Sequence, residues 1–434
     1  MMLTDQTKDS FLSQFEGINS PIADKKHLSS IFANAWAALA TQPLPNNKHE
    51  EWRYTNFSAV WQTEFVQSNH VDIEAARLAL PAWSKRPDTS LLVCVNGQFV
   101  PELSCLGAEV RACLDIKPIS QAIEHSESGI FAQFSDVNTI TLAMNTAFMQ
   151  DGLWIRVRKT LPENTVLGFV NMVDARNQNV AVQPRHFWHF EANTQASLIE
   201  QTITLGQGHS FLNQVSEIKI ERGAMIQHAV IQDDTALASQ VLYTHVHLDK
   251  QAQYHNTVVS FGGLCVRNDL YIRLSEHCEA FMNGLYMISG KTLVDNHTVA
   301  DHAEPNAQSN ELYKGVLDGH STGIFNGKIF VRQDAQKTNA YQKNRNILLS
   351  PTAHVFTKPQ LEIWADDVKC SHGATTGALE AEPMFYLKAR GIPEHKARLL
   401  LLNAFMFDVL DRIVSSSLKS LLSDFLEEKL ETNL

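Results

Sequence analysis

The sequence predicts a mainly β protein, with a repetitive core of strands between two helical ends. Three observations carry that expectation. From about residue 151 to 372, short runs alternate apolar and polar residues, the period-2 mark of strands, and clear helical periodicity is absent. Inside that stretch the runs repeat. Ile218, Ile220 and Ala224 align with Val246, Leu248 and Ala252, then with Ile272, Leu274 and Cys278, and again with Ile329, Val331 and Ala335. The first two offsets are 28 residues (218 to 246) and 26 residues (246 to 272). On either side, over 1–150 and 373–434, helical patterns return.

The first zone, 1–150, reads mainly as helix, for example over His27–Ala40, HLSSIFANAWAALA. Its exception is LLVCVNGQFV, Leu91–Val100, where Asn96-Gly97 marks a two-residue hairpin turn. EEWRYTNF, from Glu50, reads as a helix start packing on the core. The second zone, 151–372, holds strands such as LWIRVRK from Leu153, SEIKIERGAMI from Ser216 and LYIRLSEHCEAF from Leu270. Two apolar positions followed by a small residue four further on suit a strand, a tight corner and the next strand. A repeat of this size favours a coiled β-solenoid over the competing β-sandwich. The third zone, 373–434, sets Leu401, Ala404, Phe405 and Val409, then Leu418, Leu421, Leu422 and Phe425, at helical spacing. Gly391-Ile392-Pro393 breaks the helices between them. The apolar face of these helices packs either on this chain or on a partner.

A chain of 434 residues has room for two or three structural units. With 44% hydrophobic and 19% charged residues it has the make-up of a soluble globular protein. A net charge of −11 offers no basic footprint for nucleic acid and no attraction to an anionic membrane surface. The opening MMLTDQTKDS lacks the apolar stretch of a secretory signal, and no apolar run approaches a membrane span. Six scattered cysteines without a CxxC pair suit a reducing cytosol, so a cytoplasmic protein is expected.

Several motifs fail on spacing. GLYMISGKT, Gly284–Thr292, ends like a phosphate-binding loop, but its first glycine stands one place too early and strand patterns surround it. This chain alone is therefore expected to bind no nucleotide. Neither GxSxG nor HExxH occurs, and no catalytic residue is assigned. His245 and His247 share one strand face and read as solvent-facing. His297 and His302, in VDNHTVADHAEPN, read as members of a polar loop.

The stretch DDVKCSHGATTG, Asp366–Gly377, carries the candidate metal ligands Cys370 and His372. As a strand it puts Val368, Cys370 and His372 on one face and Lys369 and Ser371 on the other. A thiolate and a neutral imidazole about 7 Å apart can bind a soft or borderline metal. Two ligands are too few, so more come from elsewhere in the chain or from a partner. The competing reading is that Cys370 simply follows Val368 into the core. His372 is expected at the strand end, where Gly373 lets the backbone turn away.

With its surroundings, this stretch resembles a known family. YKGVLDG (Tyr313–Gly319), GIFNGKI (Gly323–Ile329), AQKTNAYQKNRNILLS (Ala335–Ser350), TKPQLEIWADDVKC (Thr357–Cys370), MFYLKARGI and ARLLLLNAF are similar to the SufB/SufD family of iron–sulfur cluster assembly proteins. The likeness is dense over 313–405, weaker over 150–312, and one of character alone in the first zone. SufB-type members resemble VEHEATTS where this chain reads CSHGATTG, and they carry a sulfur-accepting cysteine a few dozen residues upstream. The interval Glu279–Lys369 holds no cysteine, which points to the SufD-type branch. The resemblance implies a right-handed parallel β-helix core flanked by N-terminal and C-terminal helical domains. It implies a non-catalytic scaffold subunit that pairs with SufB through the β-helix and docks the SufC ATPase on its C-terminal helices. It makes His372, with Cys370 beside it, a ligand of a transient iron–sulfur cluster shared with the partner subunit, and it allows a homodimer of the isolated chain. The alternatives are a SufB-type scaffold and, with less support, a β-solenoid carbohydrate-active enzyme.

Overall fold

The computed structural model describes residues 5–15, 28–68, 70–123 and 139–433. Its centre is a parallel β-solenoid of about eight turns, with helical regions before and after it. Successive strands alternate between two sheets, so each coil gives one strand to each sheet. The first sheet runs from Gln98–Phe99 and Thr89–Val95 at one end to Asn339–Leu348 and Lys369–Gly377 at the other. The second runs from Leu114–Pro118 and Leu153–Val157 to Thr322–Val331 and His354–Ile363. A parallel pair needs a long return connection. In a solenoid, the strand of the opposite sheet is that connection.

The repeat seen in the sequence is the register of the ladder. Ile218 pairs with Val246, Val246 with Ile272, Ile272 with Ala300 and Ala300 with Ile329. The small residues Ala224, Ala252, Cys278, Ala307 and Ala335 all lie in the buried interior. Just before the first four of them the chain turns through a left-handed residue: Gly223, Gln251, His277 and Asn306, with φ of 60–71°. Side chains adopt this region reluctantly. Here neighbouring corners brace one another: Gly223 N–H donates to Lys250 O (3.2 Å), Gln251 N–H to Glu276 O (3.0 Å), and Asn306 N–H to Gln336 O (2.9 Å).

Inside the coil the strand ends are apolar, as at Ile220, Leu248, Leu274 and Val331. The strand middles are polar and hydrogen-bonded. Gln214 Nε2 donates to Glu200 Oε1 (2.6 Å), Tyr254 Oη lies 2.9 Å from His228 Nδ1, and the Tyr286 hydroxyl donates to Asn346 Oδ1 (2.5 Å).

Helices cover the outer faces. Phe11, Phe15, Trp61 and Phe148 pack on Phe211, Val241 and Ile324 of the second sheet. Leu402, Met406, Val409, Leu418 and Leu422 pack on Ile199, Ile231, Val259 and Leu312 of the first. Each such side chain contributes about 1.5–3 kcal/mol of burial. The face of the last helices is thus satisfied largely by this chain, and its stripe is offset from the expected one: Leu402 and Met406 are buried where Leu401 and Ala404 were expected. Gly391 (φ 83°) makes the expected break, its N–H donating to Lys388 O (3.0 Å).

The hairpin also forms, with Asn96 and Gly97 at φ 50° and 79° joining antiparallel strands. A helix spans Ser29–Thr41; His27 lies outside the described residues. GLYMISGKT runs from strand through a turn at Gly290 into the next strand, without the helix a phosphate-binding loop requires.

EEW forms a short 3-10 turn against the second sheet, with the Arg267 guanidinium 4.1 Å from the Trp52 ring. Two expectations are corrected. VDNHTVADH is a buried strand, Leu293–His302, rather than a loop. His245 is not solvent-facing: it is buried against Tyr271, ring centroids 4.6 Å apart.

Candidate functional site

The candidate site lies on the strand Lys369–Gly377, last in the first sheet, whose inner edge pairs with Asn339–Leu348. Cys370 pairs with Ala340 and His372 with Gln342. This register puts both side chains on the interior-facing positions of the terminal coil. Cys370 is partly buried and packs with Val368 against the interior core. Burial raises its thiol above the ordinary range, which favours the protonated form. His372 is exposed. It stands within the strand rather than at its end: the chain continues extended through Gly373 to Gly377, so the expected turn at Gly373 is absent.

Beneath His372 the ladder continues inward with Gln342 and then Glu311. Glu311 is fully buried. Its Oε2 accepts hydrogen bonds from Gln342 Nε2 (2.8 Å) and Thr298 Oγ1 (2.9 Å). Burial pushes its carboxyl up to about 7 against these two stabilising bonds. Gly327 makes room for the amide, since a Cβ there would stand 2.1 Å from Gln342 Nε2.

Among the described residues no group of three His, Cys, Asp or Glu side chains is placed to hold a metal ion. All six cysteines are free, and Cys94, Cys113, Cys265 and Cys278 are buried elsewhere. Burial pushes the thiols of Cys265 and Cys278 up to about 12 and about 11, so neither offers a thiolate near neutral pH. What the chain presents here is one thiol and one imidazole on the last described rung of the first sheet.

A denser ionic cluster went unread in the sequence. Arg267 Nη1 lies 2.9 Å from Asp295 Oδ2, His297 Nε2 lies 2.9 Å from Asp295 Oδ1, and Lys328 Nζ lies 2.6 Å from Glu51 Oε1. It fastens the EEW turn to the second sheet. The signal was available: aligning Ala300 with Ile272 and Ile329 extends the repeat through VDNHTVADH and makes His297 outward-facing on a strand.

Fold and site together define a class: a parallel β-solenoid with helical covers that carries a thiol and an imidazole on its last described rung. The chain belongs to the SufB/SufD family of iron–sulfur cluster assembly proteins. Residues 172–405 match the family described as SUF system FeS cluster assembly, SufBD core domain, and residues 5–167 match the SufBD protein N-terminal region. An iron–sulfur cluster assembly SufBD family protein of Synechocystis is 32% identical over 395 residues, covering 88% of this chain and 86% of the relative. The iron–sulfur cluster assembly protein SufD of Escherichia coli is 29% identical over 381 residues, covering 87% of each. A chloroplastic protein of Arabidopsis thaliana, ABCI7, is 31% identical over 242 residues, 54% of this chain and 50% of the relative.

Proposed function

We propose that this chain is the SufD-type, non-catalytic scaffold subunit of a SUF complex in the cytoplasm. Its open terminal coil pairs with a SufB-type subunit, and the nascent cluster is held between them with His372 as the ligand from this side. One observation carries the reading: Cys370 and His372 stand on a strand with no described strand beside its outer edge, so completing the site and completing the sheet call for the same partner. The cluster is cargo, and Cys370 joins its ligands only when the rung opens and the thiol loses its proton. The missing phosphate-binding loop fits an ATPase carried by a separate subunit, SufC. Its docking surface is proposed on the C-terminal helices, where Phe385, Tyr386 and Leu400 are exposed at 74%, 58% and 50%. No described helix is long and apolar enough to cross a membrane. Without SufB, the same edge supports pairing between two copies of this chain.

The test is co-expression with SufB and SufC, anaerobic purification, and iron and acid-labile sulfide analysis. The three-subunit complex is expected to carry cluster and the His372→Ala complex none, with subunit composition unchanged. The chain alone is expected to lose any reconstituted cluster on desalting. Wild-type cluster content in the variant complex, or a stoichiometric cluster retained by the chain alone, would refute the reading.

A further inference from the structure

We propose that Glu311 is an internal countercharge for the terminal rung: a carboxyl stored as the neutral acid in a pair with the Gln342 amide, and ionised when a cation is bound at His372. This rests on the reading of His372 as a ligand.

The pairing follows from two orphaned atoms. Glu311 Oε1 and Gln342 Oε1 are both buried without a hydrogen-bond partner, while the other halves of the same groups are joined through Gln342 Nε2 and Glu311 Oε2 at 2.8 Å. Two acceptors left over in one bonded pair lack a single donor. A proton on Glu311 Oε1 supplies it, closing an acid–amide ring in which each group donates once and accepts once. A buried carboxylate with no cation beside it is costly, and the neutral acid avoids that cost.

The described groups around Glu311 leave it without a permanent countercharge. Met282 and Gln342 flank it in the ladder, and Thr298 bonds it from the opposite sheet. The nearby titratable groups among the described residues are Tyr313 on its own strand, His302, which bonds Ser309 at 2.9 Å, and, on the last rung, His372 beyond Gln342 and the Cys370 thiol beyond Ala340, which burial keeps protonated in wild type and Glu311→Gln alike. Burial holds Tyr313 protonated and His302 neutral, so neither brings charge. Successive rungs lie about 4.8 Å apart, which puts His372 about 10 Å from Glu311. A metal cation there favours the ionised acid across a poorly solvated interior. On binding, the Glu311 O–H bond breaks, its electron pair stays on oxygen, and one proton leaves to bulk water.

The full-length chain provides the test. Its infrared spectrum at pH 6 is expected to show a protonated-carboxyl band that is absent in Glu311→Gln and disappears as pH rises through neutrality. Glutamine reproduces the neutral pair, with one amide donating each way, so this variant is expected to fold. It is also expected to outlast wild type on heating above pH 7, where the wild-type acid ionises, and to match it below pH 4.5. Absence of the band at pH 6 overturns the pair. Cobalt(II) alone, added near pH 7 with an indicator dye, tests the coupling. Wild type is expected to release up to one proton more per ion than Glu311→Gln, and to bind several-fold more tightly. Equal release and affinity overturn the countercharge role. If cobalt binds wild type and His372→Ala alike, the ligand reading fails and the coupling with it, while the infrared result still decides the pair.

Discussion

The two ends of the solenoid are finished in opposite ways. At the first end antiparallel strands seal the sheets: Gln98–Phe99 lies against Thr89–Val95, and Leu114–Pro118 against Leu153–Val157. Buried side chains lock this end. Arg185 Nε donates to Glu217 Oε1 (2.8 Å) and its Nη1 to Thr146 Oγ1 (3.0 Å) under the helix Ile140–Phe148. At the far end Lys369–Gly377 and His354–Ile363 stop with no further described strand beside them. Isolated proteins cover or blunt such edges because they invite pairing. On the proposed reading, the described edge beside Cys370 and His372 is the place kept for another chain.

If the closed end is the rigid one, breaking it costs most. Arg185→Met buries the Glu217 carboxylate without its guanidinium and is expected to lower stability by about 3–5 kcal/mol, read from urea unfolding. A loss under about 1 kcal/mol would erase the contrast between the ends.

The next effect tests the polar interior. Burial lowers His302 from 6.5 to about 4, so the folded chain keeps it neutral where the unfolded chain protonates it. The associated stability is present above pH 6.5 and lost as pH falls through about 4, worth about 3 kcal/mol for this residue. His186, also lowered to about 4, acts in the same window. Wild type is expected to lose stability steeply between pH 6.5 and 4, and His302→Gln less steeply. Parallel stability profiles would show that the interior is wetter than its burial indicates.

At the open end, function and stability separate. His372→Ala is expected to change unfolding free energy by less than about 0.5 kcal/mol, as for other exposed sites, yet to abolish cluster assembly in the complex. Cys370→Ala is expected to reduce assembly less, because its thiol is turned inward and protonated. A larger loss from the cysteine than from the histidine would reverse their ranking. The smallest effect on stability is expected at the exposed C-terminal residues. Phe385→Asp with Leu400→Asp should leave the melting temperature unchanged and remove SufC from pull-downs while SufB stays bound. Deleting the helices would not make this distinction, since it uncovers Ile199, Ile231 and Val259.

Much of this was legible because the coil repeats wherever its interior is apolar. Ile218, Val246 and Ile272 announce themselves, and their offsets are the pairing register. Legibility fails where interior positions turn polar. In Leu293–His302 the inward residues include Asn296, Thr298 and His302 and the outward ones Asp295, His297 and Asp301, so alternation of polarity disappears while alternation of direction persists. The same polarity hid Glu311 and Gln342. Cys370 and His372 were readable as a pair, since two residues apart on a strand means one face. The extension of their strand to Gly377 was not, because glycine permits a turn without requiring one.

The left-handed corners have a further consequence. Each is braced by a hydrogen bond to the next coil, as Asn306 is by Gln336 O and Lys337 by Asp367 O. Backbone pairing in such a stack links nearest neighbours, so the ladder itself behaves as a one-dimensional array. An interior coil is held from two sides and the last from one. Fraying therefore starts at the rung that bears His372, and hydrogen exchange should be fastest in Lys369–Gly377 and slow toward the sealed end. A bound partner gives that rung its second neighbour, and exchange there should fall to the level of the coils behind it.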